Sequence, residues 1–184
     1  LLTIGFFSFA TGAWAVDYTV GGTVSGLAGR GLVLQNNGED DLLVFGNGVF
    51  TFPSPLPDSS AYSITVFAEP SSPNQSCTVT NGSDTLAGAN VTNVTVTCVT
   101  DQFSVGGTVN GLEGSGFVLQ NNFGNKLDIF ADGNFTFSAL LDDGSDYSVT
   151  VFAHPSNPSQ TCSVTNGSGT LTGANVTNVS IICT

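Results

Sequence analysis

Positive charge is almost absent from this chain of 184 residues. Lysine and arginine together number two, Arg30 and Lys126, against 14 acidic residues, and the formal net charge is −12. Nucleic-acid binding needs clustered basic side chains that release counterions from phosphates, so the composition argues against a nucleic-acid partner. The same shortage argues against docking on anionic lipid.

Residues that carry common catalytic chemistry are also scarce. His154 is the single histidine, methionine is absent, and the sequence contains neither a Gly-x-Ser-x-Gly elbow nor a Cys-x-x-Cys pair. We interpret His154 as a surface residue on a loop before Pro155. We therefore expect no enzymatic activity, no cofactor and no metal site.

The dominant feature that is present is an internal repeat. YTVGGTVSGLAGRGLVLQNN from Tyr18 returns as FSVGGTVNGLEGSGFVLQNN from Phe103, and without any gap 49 of 81 aligned positions are identical. The first copy spans residues 18–98 and the second spans 103–183, joined by VTDQ (99–102). We expect two similar domains end to end, residues 18–100 and 101–184, after a separate segment at 1–17.

Each copy has the pattern of an all-β domain, in which runs rich in Val, Thr, Phe and Tyr alternate with turn clusters. The runs of the first copy are 18–27, 31–36, 41–46, 48–52, 61–68, 76–81 and 90–98. Seven short strands predict an immunoglobulin-like β-sandwich, with 61–68 as a central strand. Asn-Gly in 45–50 and Asp-Gly in 130–135 predict tight hairpins. The spacing of Val91 and Val94 predicts a bulge or a strand start near Asn93.

Four cysteines occupy matching places in the two copies. Cys77 and Cys98 enclose 20 residues, as do Cys162 and Cys183. Equal spacing favours one disulfide inside each copy over a bridge between copies, with free thiols or zinc as weaker alternatives. Disulfides imply an oxidising compartment and hence an exported protein.

Two patterns carry a family resemblance. GNGVFTF…L…YSITV (46–66), echoed by ADGNFTF…L…YSVTV (131–151), resembles the transthyretin-like and collagen-adhesin B-type modules of bacterial surface proteins. Residues 18–183 as a whole resemble tandem immunoglobulin-like repeats of secreted bacterial proteins. The resemblance implies a surface stalk, an adhesin or an appendage part, and it is silent about activity. Such adhesin modules often hold a Lys–Asn isopeptide bond, but the only lysine, Lys126, matches Asp41, so we expect none.

Acidic clusters at 36–41 and 142–146 offer oxygen ligands for calcium. Their counterparts in the other copy, NNFGNK and PDSSA, do not repeat the pattern, so we interpret the clusters as solvated turns. Candidate glycosylation sites of an exported chain are the sequons at Asn81, Asn90, Asn93, Asn166, Asn175 and Asn178. The Asn-Gly pairs at 81–82 and 166–167 are alternatively simple turns.

The opening segment, LLTIGFFSFATGAWAVD, has no counterpart between the copies. Its first charge is Asp17, and the 16 uncharged residues before it are fewer than a membrane helix needs, so we expect no membrane span. Three interpretations stay open: a remnant of an export signal, with AWA as its cleavage site; a strand on the chain's own first domain; or a strand donated to a neighbouring subunit. We favour donation, through Leu2, Ile4, Phe6, Phe7, Phe9 and Trp14.

The sequence therefore predicts a structural subunit of an extracellular bacterial filament or pilus. Its partners would be other copies of itself, added by donation of the N-terminal strand. The alternative is a surface adhesin or stalk module that binds glycan or host protein through loops such as QNNGEDD (35–41).

Overall fold

Residues 16–184 are described by a computed structural model as β-strands and connecting loops, with no helix among them. The predicted donor strand, with Leu2, Ile4, Phe6, Phe7, Phe9 and Trp14, lies outside the described residues. Within this described part, no helix is long and apolar enough to cross a membrane.

Twenty strands lie in residues 16–184, and the two copies contribute ten each. Those of the first copy are β1 (Asp17–Tyr18), β2 (Val20–Ser25), β3 (Leu32–Asn36), β4 (Asp40–Val44), β5 (Gly48–Thr51), β6 (Leu56–Pro57), β7 (Ala61–Ala68), β8 (Gln75–Thr80), β9 (Ser83–Thr85) and β10 (Val91–Thr100). Those of the second copy are β11 (Gln102–Phe103), β12 (Val105–Asn110), β13 (Phe117–Asn121), β14 (Asn125–Ile129), β15 (Gly133–Thr136), β16 (Leu141–Asp142), β17 (Asp146–Ala153), β18 (Cys162–Thr165), β19 (Ser168–Thr170) and β20 (Val176–Cys183).

The strands of each copy form two four-stranded sheets and a two-stranded one. In the first copy the orders are β5-β2-β10-β8, β4-β3-β7-β9 and β1-β6, and the second copy repeats them as β15-β12-β20-β18, β14-β13-β17-β19 and β11-β16. The prediction of an all-β chain is confirmed, and paired sheets of this kind are consistent with a β-sandwich. The prediction of a central strand at 61–68 is also confirmed, because β7 lies between β3 and β9.

A glycine allows two neighbouring strands of one sheet to approach closely. β2 runs parallel to β10 and pairs Gly22 with Val94. A Cβ on Gly22 would lie 1.8 Å from the carbonyl oxygen of Val94, so no larger residue fits there. The pairing shifts register between Val91 and Val94, and Val94 is fully buried. Because β10 already begins at Val91, the bulge is confirmed and the alternative of a strand start near Asn93 is wrong.

The predicted hairpins at 45–50 and 130–135 are wrong. β4 pairs with β3 while β5 pairs with β2, so residues 45–47 carry the chain from one sheet to the other. The reason is that Asn47 bonds to a distant loop: its Oδ1 accepts the N–H of Leu27 at 2.8 Å and its Nδ2 donates to the carbonyl of Leu27 at 2.9 Å. Asp132 makes the corresponding contact in the second copy, where its carboxylate accepts the N–H of Leu112 at 2.8 Å.

Each copy has a hydrophobic core and a disulfide of its own. The core of the first copy gathers around Phe52, and that of the second gathers around Phe137 and Phe117. The disulfides join Cys77 to Cys98 and Cys162 to Cys183, which is the pairing that the cysteine spacing predicts. Two such bonds fit an oxidising extracellular environment.

Candidate functional site

The two copies are joined with almost no linker. β10 continues to Thr100 and β11 begins at Gln102, so Asp101 alone lies between them. The N–H of Asp101 donates to the carbonyl of Asn74 at 3.0 Å, and the carbonyl of Asp101 accepts the N–H of Asp143 at 2.8 Å. One residue thus ties a loop of the first copy to a loop of the second, and we call this region the inter-copy contact.

A buried carboxylate completes the inter-copy contact. Asp143 is 8 % exposed, and its Oδ2 accepts the N–H of Asn74, in the other copy, at 2.6 Å. Its Oδ1 accepts the N–H of Gly173 at 2.6 Å. The N–H of Asn74 is the main cause that holds the pKa of Asp143 below its ordinary value, while burial acts in the opposite direction. Asp143 is therefore ionised at neutral pH, and its bond to Asn74 is charge-assisted.

Gln75 fixes the loop that presents Asn74. Its side chain is 2 % exposed, and Oε1 accepts the N–H groups of Ala28 and Gly29, both at 2.8 Å. Nε2 donates to the carbonyl of Gly26 at 2.8 Å. Because the side chain of Gln75 is held inward, the backbone of Asn74 is left to face the second copy.

An open groove with a volume of about 690 Å³ runs beside this contact. The first copy lines it with residues that include Pro73 and Asn74, and the second copy lines it with residues that include Asp142 and Gly144. Asp142 is already engaged, because its Oδ1 accepts from Nε2 of Gln102 at 2.7 Å. Of the two acidic residues that line the groove, Asp143 bonds across the inter-copy contact, whereas Asp142 bonds within the second copy.

The expectation of solvated acidic turns is wrong for Asp143, which is buried and bonded. Sequence analysis missed this role, although a signal was present. Asp58 and Asp143 match each other between the copies, whereas the acidic residues around them do not. Elsewhere in residues 16–184, no group of three His, Cys, Asp or Glu side chains is placed to hold a metal ion.

His154 lies on the surface and also supports the strand that carries a disulfide. Its Nδ1 accepts the N–H of Cys162 at 3.1 Å. Glu69, the matching residue of the first copy, accepts the N–H of Cys77 through Oε2 at 2.9 Å. The two different side chains therefore perform one structural task.

Two of the predicted glycosylation sites, Asn90 and Asn175, bond to the residue just before the neighbouring strand of their sheet. Oδ1 of Asn90 accepts the N–H of Thr19 at 2.9 Å, and Oδ1 of Asn175 accepts the N–H of Ser104 at 2.8 Å. Both asparagines are exposed. Their structural task accounts for the residue type without a glycan, and glycosylation stays a prediction.

The other four sites work in pairs. Asn81 and Asn166 each have a φ of 55°, a left-handed conformation that suits asparagine in turns. Nδ2 of Asn81 donates to the carbonyl of Asn93, and Nδ2 of Asn166 donates to that of Asn178, both at 3.2 Å. The two Asn-Gly pairs are turns, and all four asparagines are exposed.

No protein-family model matches this chain, and no curated protein matches it. Its function is therefore inferred from the repeat and from the geometry of the described residues.

Proposed function

We propose that the chain is a structural subunit of an extracellular bacterial filament or pilus. It would consist of two tandem immunoglobulin-like β-sandwich domains and polymerise by donating its N-terminal segment to a neighbouring subunit. Two observations support this proposal: each copy carries its own core and its own disulfide, and the N-terminal segment is additional to both copies. The observation that carries the proposal is an apolar edge on the first copy.

This apolar edge lies between β4 and β5. Leu43 is 46 % exposed, Phe45 is 90 % exposed and Val49 is 85 % exposed, and the three border a groove with a volume of about 280 Å³. β4 and β5 are the outermost strands of their sheets, so each has a partner on one side only. Exposed apolar side chains on an edge strand favour the addition of another strand.

The occupant that we assign to the apolar edge is residues 1–15 of a neighbouring copy. These residues are uncharged, and Leu2, Ile4 and Phe6 alternate as the side chains of a strand do. The matching edge of the second copy is less apolar, because Asp128 and Asn134 replace Leu43 and Val49. A segment of one copy on the edge of the next makes a contact that continues into a filament.

Removal of residues 1–15 tests this proposal. The shortened chain should remain folded by circular dichroism and sediment as a monomer, while the full chain forms large assemblies. Val49→Lys in the full chain should also prevent assembly, because it places a charge on the accepting edge. Asn134→Lys is the matched control and should assemble normally. Assemblies that survive both the deletion and Val49→Lys would refute strand donation.

A surface adhesin or stalk module is the second candidate. The loop 35–41 borders a groove with a volume of about 380 Å³, lined by Asn36, Asn37, Glu39 and Asp40 among others. Amide and carboxylate groups gathered in one groove favour a polar ligand such as a glycan. Binding of the full chain to a glycan array, lost on Asp40→Ala, would support this candidate.

A further inference from the structure

The inter-copy contact joins a donor loop to an accepting carboxylate, and each copy of the repeat contains both of these features. Among the described residues, one donor loop and one carboxylate are engaged, and the other two are not. The first copy provides the donor loop, 70–75, and the second provides the accepting carboxylate, Asp143. The first copy also has an accepting carboxylate, and the second copy also has a donor loop. What these unengaged halves bind is the question that the repeat raises.

Asp58 is the unengaged acceptor. Its Oδ1 accepts the N–H of Gly88 at 2.7 Å, as Asp143 does with Gly173. Its backbone N–H donates to the carbonyl of Val16 at 3.0 Å, just as the N–H of Asp143 donates to the carbonyl of Asp101. Asp58 is exposed, however, and within residues 16–184 no N–H group donates to its Oδ2. We call Val16, Asp58 and Gly88 the acceptor face.

The unengaged donor is the loop 155–160, which we call the second donor loop. Gln160 holds it as Gln75 holds the first: Oε1 accepts two backbone N–H groups at 2.8 and 2.9 Å, and Nε2 donates to a backbone carbonyl at 2.7 Å. Ser159 stands where the first loop has Asn74. Asn74 is half-buried by the inter-copy contact, whereas Ser159 is exposed.

Exposure differs between the two copies at the residues of these contacts. Asp58 is exposed where Asp143 is buried, and Ser159 is exposed where Asn74 is half-buried. By comparison, the matching residues Phe45 and Phe130, which lie outside the contact, are both 90 % exposed. The acceptor face and the second donor loop are therefore built like the engaged pair and lack only its cover.

We propose that the second donor loop of one copy of this chain binds the acceptor face of another copy. The N–H of Ser159 donates to Oδ2 of Asp58, and the carbonyl of Ser159 accepts the N–H of Val16. This proposal deepens the filament function, on which it rests, by adding an end-to-end contact that needs none of residues 1–15. Because the two surfaces differ, the contact is heterologous and continues from copy to copy.

The substitutions between the two versions of the contact are compatible with it. The donor and acceptor groups of Asn74 that bond across the contact belong to the backbone, and Ser159 has the same groups. Ser59 replaces Gly144, and a Cβ on Gly144 would lie 3.7 Å from the Cβ of Pro73, an ordinary van der Waals distance. Both positions have a positive φ, 64° and 82°.

The contact between copies is weaker than the one within the chain. In the chain, the covalent link at Asp101 gives the two halves a high effective concentration, on the order of millimolar for short linkers. Separate copies gain this advantage only when they are concentrated or already assembled. The contact must therefore be measured in the assembled full chain and compared with the dilute chain.

Hydrogen exchange at single amides tests the proposal. In the assembled full chain, the amide of Ser159 should exchange at least about tenfold more slowly than in the dilute chain, the factor expected for a charge-assisted hydrogen bond. The amide of Asn74, bonded within the chain, should exchange equally in both. Asp58→Ala should abolish the slowing at Ser159, whereas Asp84→Ala, which removes another exposed acidic side chain, should preserve it.

Ser159→Pro gives a second test, since it removes the donor N–H without touching the acceptor face. The amide of Val16 should be protected in the wild-type assembly and exchange faster in this variant. Equal exchange of Ser159 in the dilute and assembled chains, or slowing that survives Asp58→Ala, would overturn the proposal. Failure of strand donation has a different signature, because the chain without residues 1–15 would then still assemble.

Discussion

Asp143→Ala removes the carboxylate that joins the two copies. The variant loses two hydrogen bonds, to the N–H of Asn74 in the first copy and to that of Gly173 in the second, each at 2.6 Å. Asp58→Ala is the matched control. Among the contacts within residues 16–184, it loses only the bond to Gly88, at 2.7 Å.

The difference between the two variants isolates the bond across the inter-copy contact. A hydrogen bond to a charged group contributes about 1.5–3 kcal/mol when its partner is buried. Asp58 is exposed, so its bond to Gly88 contributes less than this. Asp143→Ala should therefore lower the free energy of unfolding by about 1.5–3 kcal/mol more than Asp58→Ala does.

Urea denaturation of the dilute chain, followed by circular dichroism, measures both free energies. Dilution keeps contacts between copies from contributing to the comparison. Equal losses in the two variants would refute the reasoning, because they would mean that the bond to Asn74 adds nothing to stability. A larger loss in Asp58→Ala would contradict it more directly.

Three further predictions concern pH, close strand packing and the histidine. The pKa of Asp143 is lowered, so its ionised carboxylate stabilises the fold above the ordinary pKa of 3.8, and this stabilisation is lost as pH falls through the lowered pKa. The free energies of unfolding of wild type and Asp143→Ala, measured by urea titration, should therefore differ at pH 7 and converge in strong acid. Gly22→Ala should cost about 3 kcal/mol or more, because its Cβ would overlap the facing backbone of β10, whereas Gly46→Ala, at an open position, should change the free energy of unfolding by less than about 0.5 kcal/mol. His154→Glu should leave the melting temperature unchanged, since Glu69 accepts the corresponding N–H in the first copy. His154→Ala should lower the free energy of unfolding by about 1 kcal/mol, as the loss of one hydrogen bond does.

Much of the fold followed from the sequence because the repeat and the alternation of apolar residues are local signals. The bulge between Val91 and Val94 was predictable, since side-chain parity in a strand depends on spacing alone. The hairpins at 45–50 and 130–135 were not. Asn-Gly and Asp-Gly favour a tight turn locally, but Asn47 bonds to Leu27, 20 residues away, and tertiary contact overrides the turn preference.

The inter-copy contact lay beyond local reasoning for a similar reason. Asp143 is buried by a loop almost 70 residues away in sequence, and nothing in the residues around it indicates that partner. The repeat contained a clue, since Asp58 matches Asp143. The matching alone does not tell a buried carboxylate from an exposed one, and here the same residue type is buried in one copy and exposed in the other.

Electron microscopy of the native material tests the filament function most directly. The account predicts unbranched filaments with a repeating unit of two similar lobes, and it predicts their loss when residues 1–15 are removed. Dispersed two-lobed particles in the native material, with no filaments at any concentration, would contradict it.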